Sequence, residues 1–403
     1  MAGFRQDDEH GRSESIALAR GETLEERLIA TKGHTSGFDL LRIGFAIFVL
    51  CCHSVYVTVG YDNFLWVSAL RPVGAIVIPM FFVLSGFLVA NSMVRTRSVS
   101  AFVTLRALRL VPALFVVVFV SALIIGPIVT TLPLRDYFTD SEFWSYWLNV
   151  IGSVQYELPE AVTANPVQIV NVSLWTIPYE LACYGGLLVL FLAGVLDRRR
   201  EVLGVFILVS IVLPIQTYID PGFNGAVRPP GTLMMACFAS GVLFYAFRHS
   251  VRLSRKWFAI SLVVALVLLF RADTAFLAPL PIGYLTVFIG LQNLPRIPVL
   301  MRGDYSYGIY LYAFPIQQLV VWVSPLSYWW RTVPYSHVWY GNIAFALPGT
   351  IICAMLSWTL IEAPVMSRRK MLTEQVQQLE KIVVMQLRPV IARLLGRTNK
   401  TFS

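Results

Sequence analysis

Apolar runs of similar length alternate with short polar stretches along most of the chain. A helix needs about 20 predominantly apolar residues to cross the hydrocarbon core of a bilayer. Because run after run reaches this length, the pattern predicts an all-α, polytopic membrane protein with about ten transmembrane helices. The predicted spans are 38–59, 73–92, 110–130, 171–196, 202–219, 231–248, 257–272, 277–292, 305–323 and 341–363.

The seventh and eighth predicted spans are less regular than the others. Arg271, Asp273, Pro279 and Pro281 interrupt them. Charged residues and prolines are unfavourable inside a lipid-facing helix. A single bent hairpin is therefore an alternative for this part of the chain.

The distribution of basic residues predicts the topology. Of the 32 Lys and Arg residues, 26 lie in the termini and in every second loop, whereas the intervening loops hold five. Because cytoplasmic loops are enriched in Lys and Arg, both termini are expected to be cytoplasmic. We accordingly divide the chain into a cytoplasmic N-terminal segment (1–36), a transmembrane domain (37–365) and a basic amphipathic cytoplasmic tail (366–403) along the inner leaflet.

Composition supports this interpretation. Only 14% of the residues are charged, whereas about 25% are charged in a soluble globular protein. The net charge of +9 comes from short basic clusters between apolar runs, so membrane topology explains it without a nucleic-acid partner. The five cysteines lie in apolar segments without metal-binding spacing, and no metal site is predicted.

Loop 131–170, which is predicted to lie outside, combines acidic with aromatic residues. Aromatic rings beside carboxylates are typical of a sugar-binding surface. They are equally typical of an aromatic belt at the lipid headgroups. Both interpretations of this loop stay open.

The first span carries three polar residues where lipid is expected: Asp39, Arg42 and His53. At 100° per residue Arg42 and His53 project from one helix face, roughly 16 Å apart along the axis. An intramembrane charge is costly, and imidazole suits proton transfer near neutral pH, so His53 is a candidate general base. For Asp39 a pairing with Arg42 near the helix end is as good an explanation as function.

The fourth span contains Trp175, Tyr179 and Glu180. Counted inward from the outer surface, Glu180 lies at a depth similar to that of His53. A carboxylate beside an imidazole fixes its tautomer and raises its basicity. We therefore predict that Glu180 supports His53.

Arg106 and Arg109 lie about one helical turn apart at the inner end of the third span. Such a pair is suited to bind the phosphates of a cytoplasmic ligand. Arginines that only determine topology would need no ligand. The sequence leaves both explanations open.

Six segments, taken in order, resemble the acyltransferase 3 family of bacterial membrane-bound O-acyltransferases from about residue 36 to 370. The first span has the family's arginine and histidine with ten residues between them, and FFVLSGFLVA (81–90) supplies Ser85. One position departs from the family pattern, because Ala313 stands where the ninth helix often has a histidine. The remaining matching segments are RALR (106–109), SLWTIPYEL (173–181), YSYGIYLYAFPI (305–316) and LIEAPV (360–365), which contains Glu362.

The resemblance implies transfer of an acyl group, usually acetyl, from cytoplasmic acyl-CoA to a hydroxyl of an extracytoplasmic or lipid-linked carbohydrate. O-antigen, exopolysaccharide and lipo-oligosaccharide are all possible acceptors. It also implies a multi-pass protein of the bacterial inner membrane, with acetyl-CoA as co-substrate and no permanently bound cofactor. Membrane lipids, acyl-CoA and a carbohydrate are the expected partners.

In this scheme Arg42, Arg106 and Arg109 hold the CoA phosphates, and His53 with Glu180 performs the chemistry. His53 acts either as the general base on the acceptor hydroxyl or as the group that carries the acyl group itself. Substrate or structural support is expected from Asp39, Ser85, Trp175, Tyr179 and Glu362. The alternative function is a multi-helix transporter that uses Asp39, Arg42, His53 and Glu180 as its substrate or ion path.

Overall fold

The computed structural model describes residues 21–31, 35–60, 71–220, 230–295, 297, 303–323 and 335–394. Within these ranges the regular elements are helices, accompanied by two isolated β-bridges. The predicted all-α fold is therefore confirmed for the described residues. The helices are α1 (Leu24–Ala30), α2 (Ser36–Val59), α3 (Arg71–Thr96), α4 (Val99–Val120), α5 (Leu134–Thr139), α6 (Ser141–Tyr146), α7 (Ile177–Leu192), α8 (Arg199–Ile219), α9 (Gly231–Ala246), α10 (Arg255–Leu269), α11 (Pro279–Gly290), α12 (Ser306–Trp322), α13 (Tyr335–Ser357) and α14 (Arg369–Leu394).

A helix lies at every predicted apolar run. Six helices of the described part are long and apolar enough to cross a membrane. The chain is thus a membrane protein, as predicted, while the count of ten spans and the orientation of the termini stay predictions. The six are α2, α3, α4 with its extension to Val129, α7 with the turn that precedes it from Val172, α8, and α13 with its extension to Ser367.

The helix of the third span begins earlier than predicted. It starts at Val99, where the Ser98 hydroxyl accepts a hydrogen bond from Ala101 N at 3.2 Å and satisfies a free backbone donor. Arg106 and Arg109 consequently lie inside α4, two to three turns from its start. The length of an apolar run does not locate the start of a helix whose first turns also contain polar residues.

Two of the central helices, α3 and α9, approach at glycine positions. A Cβ atom on Gly86 would lie 2.1 Å from the Phe238 carbonyl oxygen, and one on Gly241 would lie 2.2 Å from the Val83 carbonyl oxygen. Only glycine permits this backbone distance, which is a typical helix contact in membranes. The two glycines therefore allow the backbones of α3 and α9 to pack closely.

Buried amides connect α12 with the loop before α7. Gln318 Nε2 donates to Val167 O at 2.7 Å, Asn165 Nδ2 donates to Gln318 Oε1 at 2.7 Å, and Asn171 Nδ2 donates to Leu311 O at 3.0 Å. The loop itself folds into α5, α6 and a 3-10 turn at Trp147–Ile151. These bonds attach the loop directly to α12.

The seventh and eighth apolar runs form two separate helices, α10 and α11, joined by a segment with a 3-10 turn at Ala275–Leu277. The described part of the tail is mostly one helix, α14, as its amphipathic pattern predicts, and Gln377 Nε2 donates to Ser98 Oγ at 3.0 Å. This hydrogen bond attaches α14 to the start of α4.

Candidate active site

Asp304 connects two of the arginines that the sequence analysis selected. It lies in the turn before α12, and its Oδ2 is 2.8 Å from Arg109 Nη2 and 3.6 Å from Arg42 Nη1. Its Oδ1 accepts a hydrogen bond from Ser306 Oγ at 3.0 Å. Burial by itself would raise the pKa of this carboxyl, but Arg109 and Arg42 outweigh it and hold the pKa below its ordinary value. The carboxylate therefore stays charged at neutral pH, and protonation disrupts the pair only below the ordinary carboxyl range.

The third arginine, Arg106, lies beside an aromatic ring rather than a carboxylate. Its guanidinium carbon is 5.9 Å from the centroid of Tyr184, and that of Arg109 is 5.7 Å from the centroid of Tyr307. Both distances are within the range of a cation–π interaction. Arg106 Nε is buried and has no hydrogen-bond partner in the described part of the chain. Arg106 therefore has at least one donor, Nε–H, that no described group uses.

Glu180 lies in the first turn of α7, where a carboxylate is favoured by the helix dipole. The Tyr184 hydroxyl, one turn further on, donates a short hydrogen bond to Glu180 Oε1. The same hydroxyl lies 3.4 Å from Ser85 Oγ of α3. Glu180, Tyr184 and Ser85 thus form a hydrogen-bonded chain between two helices.

A cavity of about 140 Å³ brings these groups together. It lies among α2, α3, α4, α7 and the start of α12. Both apolar and polar side chains line it. Three of the predicted residues for the acyl donor and two further predicted residues line it. The polar and aromatic lining consists of Arg42, Phe81, Phe82, Ser85, Arg106, Arg109, Thr176, Glu180, Tyr184, Ser306, Tyr307 and Tyr310.

His53 lies on α2 but is not among the residues that line this cavity. Its ring meets Phe314 of α12 edge to face, with centroids 5.4 Å apart. Its Nδ1 atom is buried without a hydrogen-bond partner in the described residues. In the same residues no hydrogen bond or ion pair joins His53 to Glu180, whose partner is Tyr184. The support of His53 by Glu180 stays a prediction, and the geometry pairs Glu180 with Tyr184 instead.

Glu362 is nearly fully buried in a π-helical turn, Trp358–Glu362, at the end of α13. Ser357 Oγ donates to it at 2.9 Å. Turns of this type are rare and often occur at functional sites. Glu362 does not line the cavity, so a supporting role fits it better than contact with substrate.

The remaining predicted residues also lie outside the cavity. Trp175 and Tyr179 pack against each other with centroids 6.0 Å apart, and the Tyr179 ring covers Gly231 at the start of α9. Asp39 is exposed in the first turn of α2, where an acidic residue suits the helix dipole. These positions favour structural roles for the three residues.

The sequence analysis missed four residues of this site. Tyr184, Tyr307 and Tyr310 line the cavity, and Asp304 pairs with two of the arginines that line it. Tyr310 donates from its hydroxyl to Ser173 O at 2.9 Å. Tyr307 and Tyr310 could have been predicted from the segment YSYGIYLYAFPI, because its tyrosines recur at helical spacing. Asp304 directly precedes this segment and lies just outside the predicted span 305–323.

The chain is similar to proteins that are already known. A family model described as an acyltransferase domain matches residues 35–362. Nodulation protein 10 of Rhizobium leguminosarum bv. viciae is 28% identical over 374 residues, which cover 84% of this chain and 95% of that protein. A protein named O-acetyl transferase from Shigella phage Sf6 is 24% identical over 350 residues, covering 82% of this chain and 96% of that protein. No solved structure matches the chain.

Proposed function

Since this chain belongs to the acyltransferase 3 family, we propose that it transfers an acetyl group from cytoplasmic acetyl-CoA to a carbohydrate hydroxyl. The acceptor is an extracytoplasmic or lipid-linked glycan. The relative named O-acetyl transferase supports the acetyl group and the hydroxyl acceptor. Membership of an acyltransferase family favours this enzyme over the transporter alternative.

The observation that carries the proposal is the cavity lined by Arg42, Arg106 and Arg109. Three arginines in one partly enclosed space suit a polyanion, because guanidinium groups bind phosphate through paired hydrogen bonds. Acyl-CoA is a donor that carries such phosphates. The arginines would hold the phosphates while the pantetheine arm extends away from them, beyond the cavity.

The cavity accommodates only part of the donor. A cavity of about 150 Å³ accommodates a molecule the size of benzene, and this one has about 140 Å³. That space is sufficient for one small group of the acyl-CoA, and the rest of the donor would extend beyond it.

In the proposed reaction His53 is the general base. Its imidazole removes the proton from the acceptor hydroxyl, the hydroxyl oxygen attacks the thioester carbonyl, and the new C–O bond replaces the C–S bond. The CoA thiolate leaves and takes the proton back from the imidazolium. Glu180 with Tyr184 supplies hydrogen bonds near the thioester.

We also propose the arrangement in the membrane. All ten apolar helices cross the bacterial inner membrane, both termini are cytoplasmic, and residues 37–365 form the transferase domain. The tail from residue 366 lies along the inner leaflet through α14, whose exposed apolar side chains include Leu379 and Ile382. This orientation puts the arginines toward the cytoplasmic donor.

Substitution of His53 tests the proposed chemistry. Inverted membrane vesicles that contain the protein receive labelled acetyl-CoA, and label in the glycan is measured. His53→Ala is expected to abolish transfer while membrane insertion is retained. His249→Ala, in an exposed loop, is the matched control and should keep the activity of the wild type. Transfer by His53→Ala at the control rate would refute the role of His53, and wild-type vesicles without any label transfer would refute the function.

A further inference from the structure

We propose that Asp304 is a positioning residue that holds Arg42 and Arg109 in the arrangement that binds the anionic part of the acyl donor. The proposal rests on the function proposed above. It goes beyond that function because neither the composition nor the motifs of the chain selected Asp304. Its role follows from contacts between three segments that are distant in sequence.

The carboxylate is the shared partner of two helices. Arg42 belongs to α2 and Arg109 to α4, and both approach the same oxygen, Oδ2 of Asp304. The other oxygen is occupied by the Ser306 hydroxyl, which limits rotation of the carboxylate. Asp304 therefore determines where both guanidinium groups point, although it belongs to neither helix.

The three side chains are only partly covered, which leaves them accessible to a ligand. The side chains of Arg42, Arg109 and Asp304 are 26%, 19% and 31% exposed. A guanidinium group has five N–H donors, and the contacts with Asp304 use few of them. Both arginines line the cavity, so their remaining donors would be able to bind a phosphate while the ion pairs persist.

Charge balance gives a second reason for the carboxylate. Arg42, Arg106 and Arg109 line one small cavity, and like charges at such short range repel each other in a medium of low dielectric constant. Glu180 also lines the cavity but accepts a hydrogen bond from Tyr184, so without Asp304 the long arginine side chains would be held together less firmly. Asp304 keeps two of them together before the donor arrives, so that less conformational freedom is lost on binding.

The experiment compares Asp304→Asn with the wild type at varied donor concentration. The substitution keeps the shape and removes the charge, and it is expected to raise the KM for acetyl-CoA about tenfold or more, because small displacements of binding groups have large effects. The kcat should stay within about twofold, because Asp304 does not touch the reacting atoms. Asp197→Asn is the matched control, since it removes an exposed ion pair with Arg97 of 2.7 Å.

A second donor separates positioning from a general loss of structure. S-acetylpantetheine contains the thioester but none of the CoA phosphates, so its KM should be the same for wild type and Asp304→Asn. If Asp304→Asn does not insert into the membrane, Ser306→Ala provides the test, because it loosens the carboxylate without removing it. A smaller rise in the KM for acetyl-CoA is then expected, again without effect on S-acetylpantetheine.

Each outcome decides the proposal. An unchanged KM for acetyl-CoA in the variants, or a lowered one as expected for a carboxylate that competes with the donor, would overturn it. An equal rise for both donors would also overturn it, since that indicates a structural role. If the wild type itself transfers no acyl group from acetyl-CoA, the proposed function fails instead, and the two failures are distinguishable.

Discussion

Replacement of Arg106 by alanine is the sharpest test of donor binding in this cavity. Arg106 forms no ion pair in the described part of the chain, and its Nε is buried without a hydrogen-bond partner. Its structural contact is the Tyr184 ring at 5.9 Å, an interaction that contributes about 1 kcal/mol. Arg109, by contrast, cannot be removed without leaving Asp304 partly unpaired. The Arg106 variant should therefore lose donor affinity with little loss of stability.

The expected loss follows from the bond that Arg106 is free to make. One hydrogen bond to a charged group contributes about 1.5 to 3 kcal/mol. At about 1.4 kcal/mol per factor of ten, the KM for acetyl-CoA should rise about 10- to 150-fold. Arg106→Lys keeps the charge but loses the planar group, so its KM should lie between those of Arg106→Ala and the wild type.

The assay measures free CoA thiol released by the purified protein with a saturating acceptor and varied acetyl-CoA. Arg198→Ala is the control, because Arg198 is exposed and pairs only on the surface with Glu201. A KM of Arg106→Ala within about twofold of the control would refute the reasoning, since that change corresponds to less than about 0.5 kcal/mol. Thermal unfolding of both variants confirms that folding is unaffected.

Two further substitutions test the geometry around the cavity. Gly86→Ala should lower the free energy of unfolding by about 1 to 3 kcal/mol, because its Cβ atom would lie 2.1 Å from the Phe238 carbonyl oxygen. Gly44→Ala is the control, because a Cβ atom there meets no atom within 4 Å. Equal unfolding temperatures of the two variants would contradict the close contact of α3 and α9. Tyr184→Phe should lower kcat about tenfold through the lost hydrogen bond to Glu180, with little change in the donor KM because the ring beside Arg106 stays. Tyr245→Phe, whose hydroxyl contacts Asn91 outside the cavity, is the control in the same kinetic assay, and an equal kcat of the two variants would speak against a role for the Tyr184 hydroxyl.

The cavity shows which site residues the sequence pattern predicts and which it does not. Arg42 and Glu180 were selected because a charge in a membrane span is costly and therefore informative. Arg106 and Arg109 were selected because a pair one helical turn apart suits phosphates, and all four residues line one cavity. The hydrogen bond from Tyr184 to Glu180 was not predicted. Axial depth on two helices brought Glu180 and His53 to the same level, but it contains no information on the rotation of each helix, and Glu180 bonds to Tyr184.

The sequence by itself determined the membrane character, the positions of the helices and the helical tail. Each of these is a local property, because a helix in lipid satisfies its backbone hydrogen bonds within its own segment and needs only sufficient apolar length. The tertiary structure alone decided which polar side chains meet. The approach of α3 and α9 at Gly86 and Gly241 and the carboxylate of Asp304 between two helices depend on packing between distant segments, which periodicity along one chain does not encode.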